Sequence, residues 1–151
     1  MREPNYSHWY RLGIVGTIRH LREADVQNDV DLIRAILEQV QAREDVRPKA
    51  VQFHDRESVL VARHVERLYN DGMLEGVRHR SLSNTGAALV LVTDLTTEGH
   101  NLLAAMQSRD VMERLKSALS PTEIASLPIR RLAAIALELA ERAIRKKLDL
   151  D

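Results

Sequence analysis

Apolar residues recur at helical spacing between residues 29 and 43 of the chain. Asp29 stands just before this run, where its carboxylate can accept a hydrogen bond from a backbone N–H of the first turn. The apolar positions are three or four residues apart and share one face: Ile33, Ile36, Leu37 and Val40. This pattern predicts an amphipathic helix over 29–43 that buries the apolar face.

A second helix is predicted over 55–71, with Asp55 as its N-cap and Gly72 as its C-terminal stop. Its core face is formed by Val61, Val65, Leu68 and Tyr69. On the opposite side, three arginines fall within about 40° of one line on the helical wheel. We call these residues the arginine row: Arg56, Arg63 and Arg67.

A short strand and a hairpin are predicted on either side of the second helix. In "EDVRPKAVQFHD", Pro48 stops a helix, and Val51 and Phe53 alternate like a short strand. The segments "MLEGVRHR" and "LVLVTDL" flank a tip with the turn formers Asn84 and Gly86, which predicts a hairpin over 73–95. A short helix is also expected at 17–24.

The stretch "DLTTEGHNLLAAM", residues 94–106, predicts the start of a third helix over 96–118. The hydroxyl of Thr96 can cap this helix, and Glu98 suits its positive end. Gly99 has no side chain, so the helix start can lie close against the sheet or a neighbouring helix. His100 is interpreted as a helix-start residue that hydrogen-bonds to the wing or to a neighbouring helix, rather than as a metal ligand.

The last predicted helix covers 121–148. The residues "SPTE", 120–123, form a capping box with proline at the first helical position, and Pro128 can restart the helix. Its apolar positions span roughly 200° of the wheel, whereas a surface helix needs an arc nearer 100°. This helix is therefore expected to contact more than one neighbour.

The wide apolar arc leads to a prediction of self-association. The side of the last helix centred on Leu132, Ile135 and Leu139 is expected to be exposed in one chain and to form a homodimer interface. The alternative is that residues 1–28 fold back, with Trp9 or Tyr10 covering the same stripe.

The order helix, short strand, helix, hairpin, helix is that of a winged helix. "VARHVERLYNDGMLEG" is similar to the third helix and first wing strand of many winged-helix regulators, and "LTTEGHNLL" resembles the junction of their second wing strand with the last helix. Together with "DVDLIRAILEQV", and most specifically through Thr-x-Glu-Gly-His, the chain resembles the bacterial and phage family called domain of unknown function 2513 over about residues 29–148. The resemblance implies this fold and a phage or mobile-element setting, without an established activity.

The predicted fold class is therefore mainly α with a small β-hairpin: a winged helix-turn-helix with an N-terminal extension and a long C-terminal helix. The predicted domains are an extension over 1–28, a winged-helix domain over 29–118 and a C-terminal helix for packing or dimerisation over 119–151. One departure stands out, because "EDVRPKAVQFHD" does not supply the short helix that normally braces against the DNA backbone.

Composition adds several constraints. The 22 basic and 22 acidic residues cancel, so net charge does not indicate nucleic acid. No cysteine is present, which excludes disulfides and thiolate metal sites. No apolar run approaches the roughly 18 residues of a membrane span, and no signal region is visible. We expect a soluble, cytoplasmic protein that is not an enzyme and has no metal or cofactor, because no catalytic or metal-binding motif is present.

Two functions remain open. In the first, the chain binds double-stranded DNA through the second helix and the wing, and the candidate contact residues are Arg56, Arg63, His64, Arg67, Arg78 and Arg80. In the second, a winged-helix module without DNA binding docks a protein partner, for instance in phage defence or counter-defence. The aligned arginine row favours DNA. The neutral net charge and the missing bracing helix favour a protein partner.

Overall fold

The computed structural model describes residues 28–82 and 88–149, except for the side chains of 80–82 and 88. The helix expected at 17–24 and the hairpin tip with Asn84 and Gly86 lie outside the described residues. Described in chain order, the elements are α1 (Val30–Gln41), α2 (Ser58–Asn70), β1 (Leu74–Leu82), β2 (Ala88–Leu95), α3 (Thr97–Met106), α4 (Arg109–Ala118), α5 (Pro121–Ser126) and α6 (Ile129–Lys147).

Helix α1 forms the centre of the core. Asp29 caps it as predicted, with a carboxylate oxygen 3.1 Å from the backbone nitrogen of Leu32. One face of α1 is buried against β2, α2 and α3, and it consists of Val30, Leu32, Ile33, Ile36, Leu37 and Val40. The predicted helix over 29–43 is confirmed.

The hairpin predicted over 73–95 is also confirmed, as the antiparallel pair β1–β2, here called the wing. The segment before α2 adds only one β-bridge to this hairpin. In that bridge Lys49 N donates to Val92 O (3.1 Å) and Val92 N donates to Lys49 O (2.8 Å). The prediction of a short strand at Val51 and Phe53 is wrong. Their alternation places both side chains against the core without forming a ladder.

The second helix begins later than predicted. Asp55 is not its N-cap, because residues 54–56 form a turn and bend, and α2 starts at Ser58. Glu57 stands at the cap position and its side chain makes no capping hydrogen bond. The stop at Gly72 is confirmed: its φ of +79° is the left-handed conformation that glycine adopts without strain.

The junction of the wing with α3 forms as the sequence predicts. Thr96 Oγ1 accepts a hydrogen bond from Gly99 N (3.0 Å) and donates one to Gly72 O (2.6 Å). A Cβ at Gly99 would lie 2.0 Å from Met73 O, so only glycine fits where α3 crosses the start of β1. One threonine and one glycine thus join the end of α2, the wing and α3.

The two long helices predicted after the wing are each divided. The helix expected over 96–118 is two helices, because the Ser108 side chain accepts a hydrogen bond from Val111 N (3.3 Å) and starts α4. Over 121–148 the capping box of Ser120 and Glu123 is confirmed, but the helix stops before Pro128 and α6 begins at residue 129. Helix α6 packs on α3 and α4, which completes a mainly helical, winged-helix-like fold.

Candidate nucleic-acid interface and the C-terminal helix

His64 lies in the core rather than on a contact surface. Its side chain is 0% exposed, with Nε2 3.0 Å from Asp29 N and Nδ1 2.8 Å from Leu60 O. Because Nε2 accepts the Asp29 N–H, the ring proton belongs on Nδ1, which donates to Leu60 O. Burial lowers the pKa of His64. The assignment of His64 to nucleic-acid contact is therefore wrong: the neutral ring joins the start of α1 to α2.

Arg67 connects α2 to a buried amide. Its Nη1 donates to Asn28 Oδ1 (3.1 Å), and Asn28 Nδ2 donates to the carbonyls of Ile124 (3.0 Å) and Leu127. Asn28 N also donates to Ala125 O (3.2 Å). The Arg67 guanidinium thus forms part of a chain of hydrogen bonds from α2 through Asn28 to α5.

Asn28 is a functional residue of this chain of hydrogen bonds that the sequence does not single out, since it is the last residue of the predicted extension over 1–28. Its only signal is its place directly before the N-cap Asp29. Nothing in the local sequence indicates that the side-chain amide and the backbone nitrogen of Asn28 will together donate to three backbone carbonyls almost 100 residues away along the chain.

The arginine row does not form one continuous surface. Arg56 precedes α2, and its guanidinium carbon lies 6.0 Å from the centre of the Phe53 ring, within the range of a cation–π contact. Arg63 is on α2 but half-buried, and its Nε is shielded from solvent. With Arg67 engaged by Asn28, the three residues lie in three different environments.

Arg78 of the wing is exposed and faces the end of α2. Its Nη2 donates to Asn70 Oδ1 (2.9 Å) and lies 3.6 Å from Glu66 Oε1. The Arg80 side chain lies outside the described residues. The wing and α2 are therefore adjacent, as a DNA-binding winged helix requires, but the Arg78 charge is partly balanced by Glu66.

Arg130, at the start of α6, supports the turn after α2. Its Nε donates to Asp71 O (3.2 Å), and its backbone nitrogen is 3.4 Å from Asp71 Oδ2. Cations near a helix C-terminus interact favourably with the free carbonyls there. This basic residue of the C-terminal helix consequently has a structural role at the end of α2.

The predicted dimer surface on α6 is partly wrong. Leu132 is only 4% exposed and lies with Ile33, Leu102 and Leu115 round one small apolar space inside the chain. Ile135 and Leu139 are partly buried against the same core. The apolar arc of α6 is wide because α6 packs on both α3 and α4. Leu132, Ile135 and Leu139 are therefore largely buried within one chain.

A different apolar side of α6 is open to solvent. We call it the exposed stripe: Leu137 (40% exposed), Ile144 (57%) and Leu148 (62%). It lies roughly 110° round the helix from the side packed in the core. Beside Leu137, a groove of about 520 Å³ continues the stripe between α6 and the start of α3, with Met73, Glu98 and Ala134 in its wall.

The remaining histidine prediction is also corrected. His100 is exposed, and its ring makes no hydrogen bond to the residues that the structure describes. The backbone of this residue takes part in the first turn of α3, with His100 N 2.9 Å from Thr96 O. No group of three or more histidine or acidic residues within 28–82 and 88–149 is placed to hold a metal ion.

Comparison with known proteins identifies the family. The sequence profile of the family described as "Hypothetical protein (DUF2513)" matches residues 27–124, which is more than half of the chain. The chain belongs to this family. No curated protein and no solved structure matches the chain.

The DUF2513 match covers α1, α2, the wing, α3 and α4, and ends within α5, so α6 lies beyond it. The family description names no activity. No helix in the described part of the chain is long and apolar enough to cross a membrane. The phage or mobile-element setting and the cytoplasmic location stay predictions.

Proposed function

We propose that this DUF2513 protein is a winged-helix interaction module that docks a protein chain through α6 and does not use α2 to read DNA. Binding rather than catalysis is part of the proposal. The observation that carries it is the use of the α2 side chains inside the fold: His64 is buried and Arg67 donates to Asn28.

The charge near α2 supports the same conclusion. Residues 56–80 contain five arginines and four acidic residues, Glu57, Glu66, Asp71 and Glu75, a net charge of +1. Phosphate neutralisation dominates affinity for duplex DNA, so a reading helix needs cations that can leave their protein partners. Here Arg78 is already close to Glu66, and moving Arg67 to a phosphate would break its bond to a buried amide.

The open side of α6 supports docking of a protein. Large exposed apolar side chains aligned on one helix mark interaction surfaces when they are contiguous. Homodimerisation, predicted from the sequence, remains part of the proposal, with the surface moved from Leu132, Ile135 and Leu139 to the exposed stripe.

A mobility-shift titration of the full chain with random duplex tests the first half of the proposal. We expect no shift at about 50 mM or about 200 mM salt, whereas a protein with several phosphate contacts would lose orders of magnitude in affinity between the two. A salt-sensitive shift that Arg63→Ala and Arg78→Ala both weaken would overturn it in favour of the DNA-binding alternative. An exposed arginine of α6, Arg142→Ala, is the matched control.

A further inference from the structure

The order of residues along α6 indicates the kind of partner that the exposed stripe fits. The exposed stripe has members at i, i+7 and i+11, and the half-buried Ala140 lies between the first two on the same side of the helix. Spacings of three and four residues are those of a helix-pairing seam. Over 137–148 the seam is about 16 Å long, at 1.5 Å per residue.

The charges along α6 distinguish the two ways of pairing it with a copy of itself. Its last turn carries Arg145, Lys146 and Lys147, and Arg145 is paired with Glu141 at 3.0 Å. A parallel pair would place both basic turns side by side, which is unfavourable because like charges repel. An antiparallel pair places each basic turn beside the first half of the other helix.

The first half of α6 offers a complementary surface. The groove beside Leu137 is lined by the acidic residues Glu98 and Asp71 and by the basic Arg130. Arg130 donates to the backbone of Asp71, and the three side chains sum to a net charge of −1. Lys147, which flanks the stripe of an antiparallel neighbour, would therefore meet a surface of opposite sign, whereas Lys146 lies on the far side of the helix.

We propose that α6 pairs with α6 of a second copy in an antiparallel, two-fold arrangement along the exposed stripe. The inference rests on the proposed docking function and names its partner. The midpoint between Leu137 and Ile144 is Ala140 and Glu141, so Leu137 contacts Ile144 of the second copy and the small Ala140 lies at the axis. Each copy then covers the apolar side chains of the other, as a two-fold interface requires.

The contact is small. We expect three large apolar side chains, Ala140 and the groove wall to bury less than the roughly 1,200–2,000 Å² of a stable interface. We therefore expect a dimer that dissociates on dilution. Light scattering and sedimentation of the full chain over a range of concentrations should show a mass that rises from one chain to two.

Disulfide trapping tests the geometry, and the chain is suited to it because it contains no cysteine. Residues 137 of the two copies would be about 10 Å apart along the axis, too far for a disulfide, which needs Cα atoms within about 7 Å. Leu137→Cys alone and Ile144→Cys alone should therefore cross-link poorly, and a mixture of the two should cross-link efficiently. Ser117→Cys on α4, mixed with Ile144→Cys, is the control for random collision.

Substitution tests the stripe itself. Ile144→Asp should raise the dimer dissociation constant at least about tenfold, equivalent to 1.4 kcal/mol, with the helical circular-dichroism signal unchanged. The matched control is Val46→Asp, which changes an apolar residue that is 68% exposed but lies outside α6. Lys147→Glu should also weaken the dimer, and Glu98→Lys in the same chain should restore part of the loss.

The outcomes separate this inference from the proposed function. A mass of one chain at every concentration, or efficient cross-linking of Leu137→Cys with itself, would overturn antiparallel pairing. The proposed function, protein docking without DNA binding, would survive either result if the mobility-shift titration shows no salt-sensitive complex. A salt-sensitive complex would overturn the proposed function, whatever the mass of the protein.

Discussion

Helix α2 is enclosed by the fold, whereas α6 is open along much of its length. Within α2 only the first and last residues, Ser58 and Asn70, are exposed, and its polar side chains reach other elements. The exposed charges of α6 mainly contact one another along the same helix, as in the pairs Glu138–Arg142 and Glu141–Arg145. A charged side chain inside a fold can fix neighbouring segments, whereas i,i+4 pairs on the surface contribute little.

The apolar residues of α2 and α6 also differ in how far one chain buries them. The apolar face of α2 is narrow and packs on the sheet and α1, with Val61, Val65 and Leu68 buried and Leu60 and Tyr69 partly buried beside them. Helix α6 has a wider apolar arc, of which one part fills the core and the other part is the exposed stripe. The sequence of α6 therefore contains more apolar surface than one chain buries, and that excess is what makes α6 the better candidate for a partner.

The largest expected effect is the difference in stability lost when an apolar residue is truncated in α2 and in α6. Leu68 of α2 is 0% exposed, so Leu68→Ala should lower the free energy of unfolding by about 2–5 kcal/mol through lost burial and a cavity. The matched change on α6, Ile144→Ala, should cost within about 0.5 kcal/mol at concentrations where the chain is a monomer. Urea denaturation measures both. Similar losses would mean that the two helices do not differ in enclosure.

The next largest effect is a difference in stability between arginine substitutions in the two helices. Arg67→Ala removes a charged donor from Asn28 and should cost about 1–3 kcal/mol. Arg142→Ala removes an exposed pair with Glu138 and should cost about 0–1 kcal/mol. Melting temperatures and urea midpoints of the two variants check this order. The reverse order would show that the Arg67–Asn28 bond does not stabilise the fold.

The pH dependence of stability should come from α2. Burial lowers the pKa of His64 in the folded protein below its ordinary 6.5, so the unfolded chain binds the proton more readily. The contribution of neutral His64 is therefore complete above about pH 6.5 and is lost as pH falls below it, by at most about 1.4 kcal/mol per pH unit. Urea midpoints at several pH values between 7.5 and 5 measure this slope.

His64→Gln keeps an acceptor and a donor but does not titrate, so it should reduce the slope below pH 6.5. His100→Gln changes an exposed histidine of α3 and should leave the slope as it is in the parent protein. A slope that persists in His64→Gln and vanishes in His100→Gln would contradict the buried, neutral assignment of His64.

The smallest expected effect concerns Arg56, the member of the arginine row that lies outside α2. Arg56→Ala removes its contact with the Phe53 ring and should cost about 0.5–1 kcal/mol at most. Phe53→Leu should cost more, because Phe53 also packs against the core. If Arg56→Ala instead weakens a complex with duplex DNA, the arginine row acts on a ligand and the comparison between α2 and α6 fails.

Local signals in the sequence were sufficient for much of the fold. The carboxylate of Asp29, the hydroxyl of Thr96, the capping box at Ser120 and the stop at Gly72 act on backbone groups within a few residues, so their positions can be read directly. The periodic apolar residues of α1 and the alternation of the wing likewise report local geometry. Errors occurred where local signals compete, as at Ser108, where a new cap interrupts an apolar pattern that one helix would also satisfy.

The sequence by itself determined which segments are helical, where most of them begin and end, and that Gly99 must allow a close approach. Only the tertiary structure decided which side chains remain available at the surface. His64 and Arg67 have ordinary places on the wheel of α2, but hydrogen bonds to Asp29 and Asn28, which are distant along the chain, leave His64 buried and Arg67 half-buried. Likewise α3 and α4 bury Leu132 and leave Leu137 and Ile144 exposed to solvent. A helical wheel gives the direction in which each side chain points from its own helix, but it does not say which other elements lie in that direction.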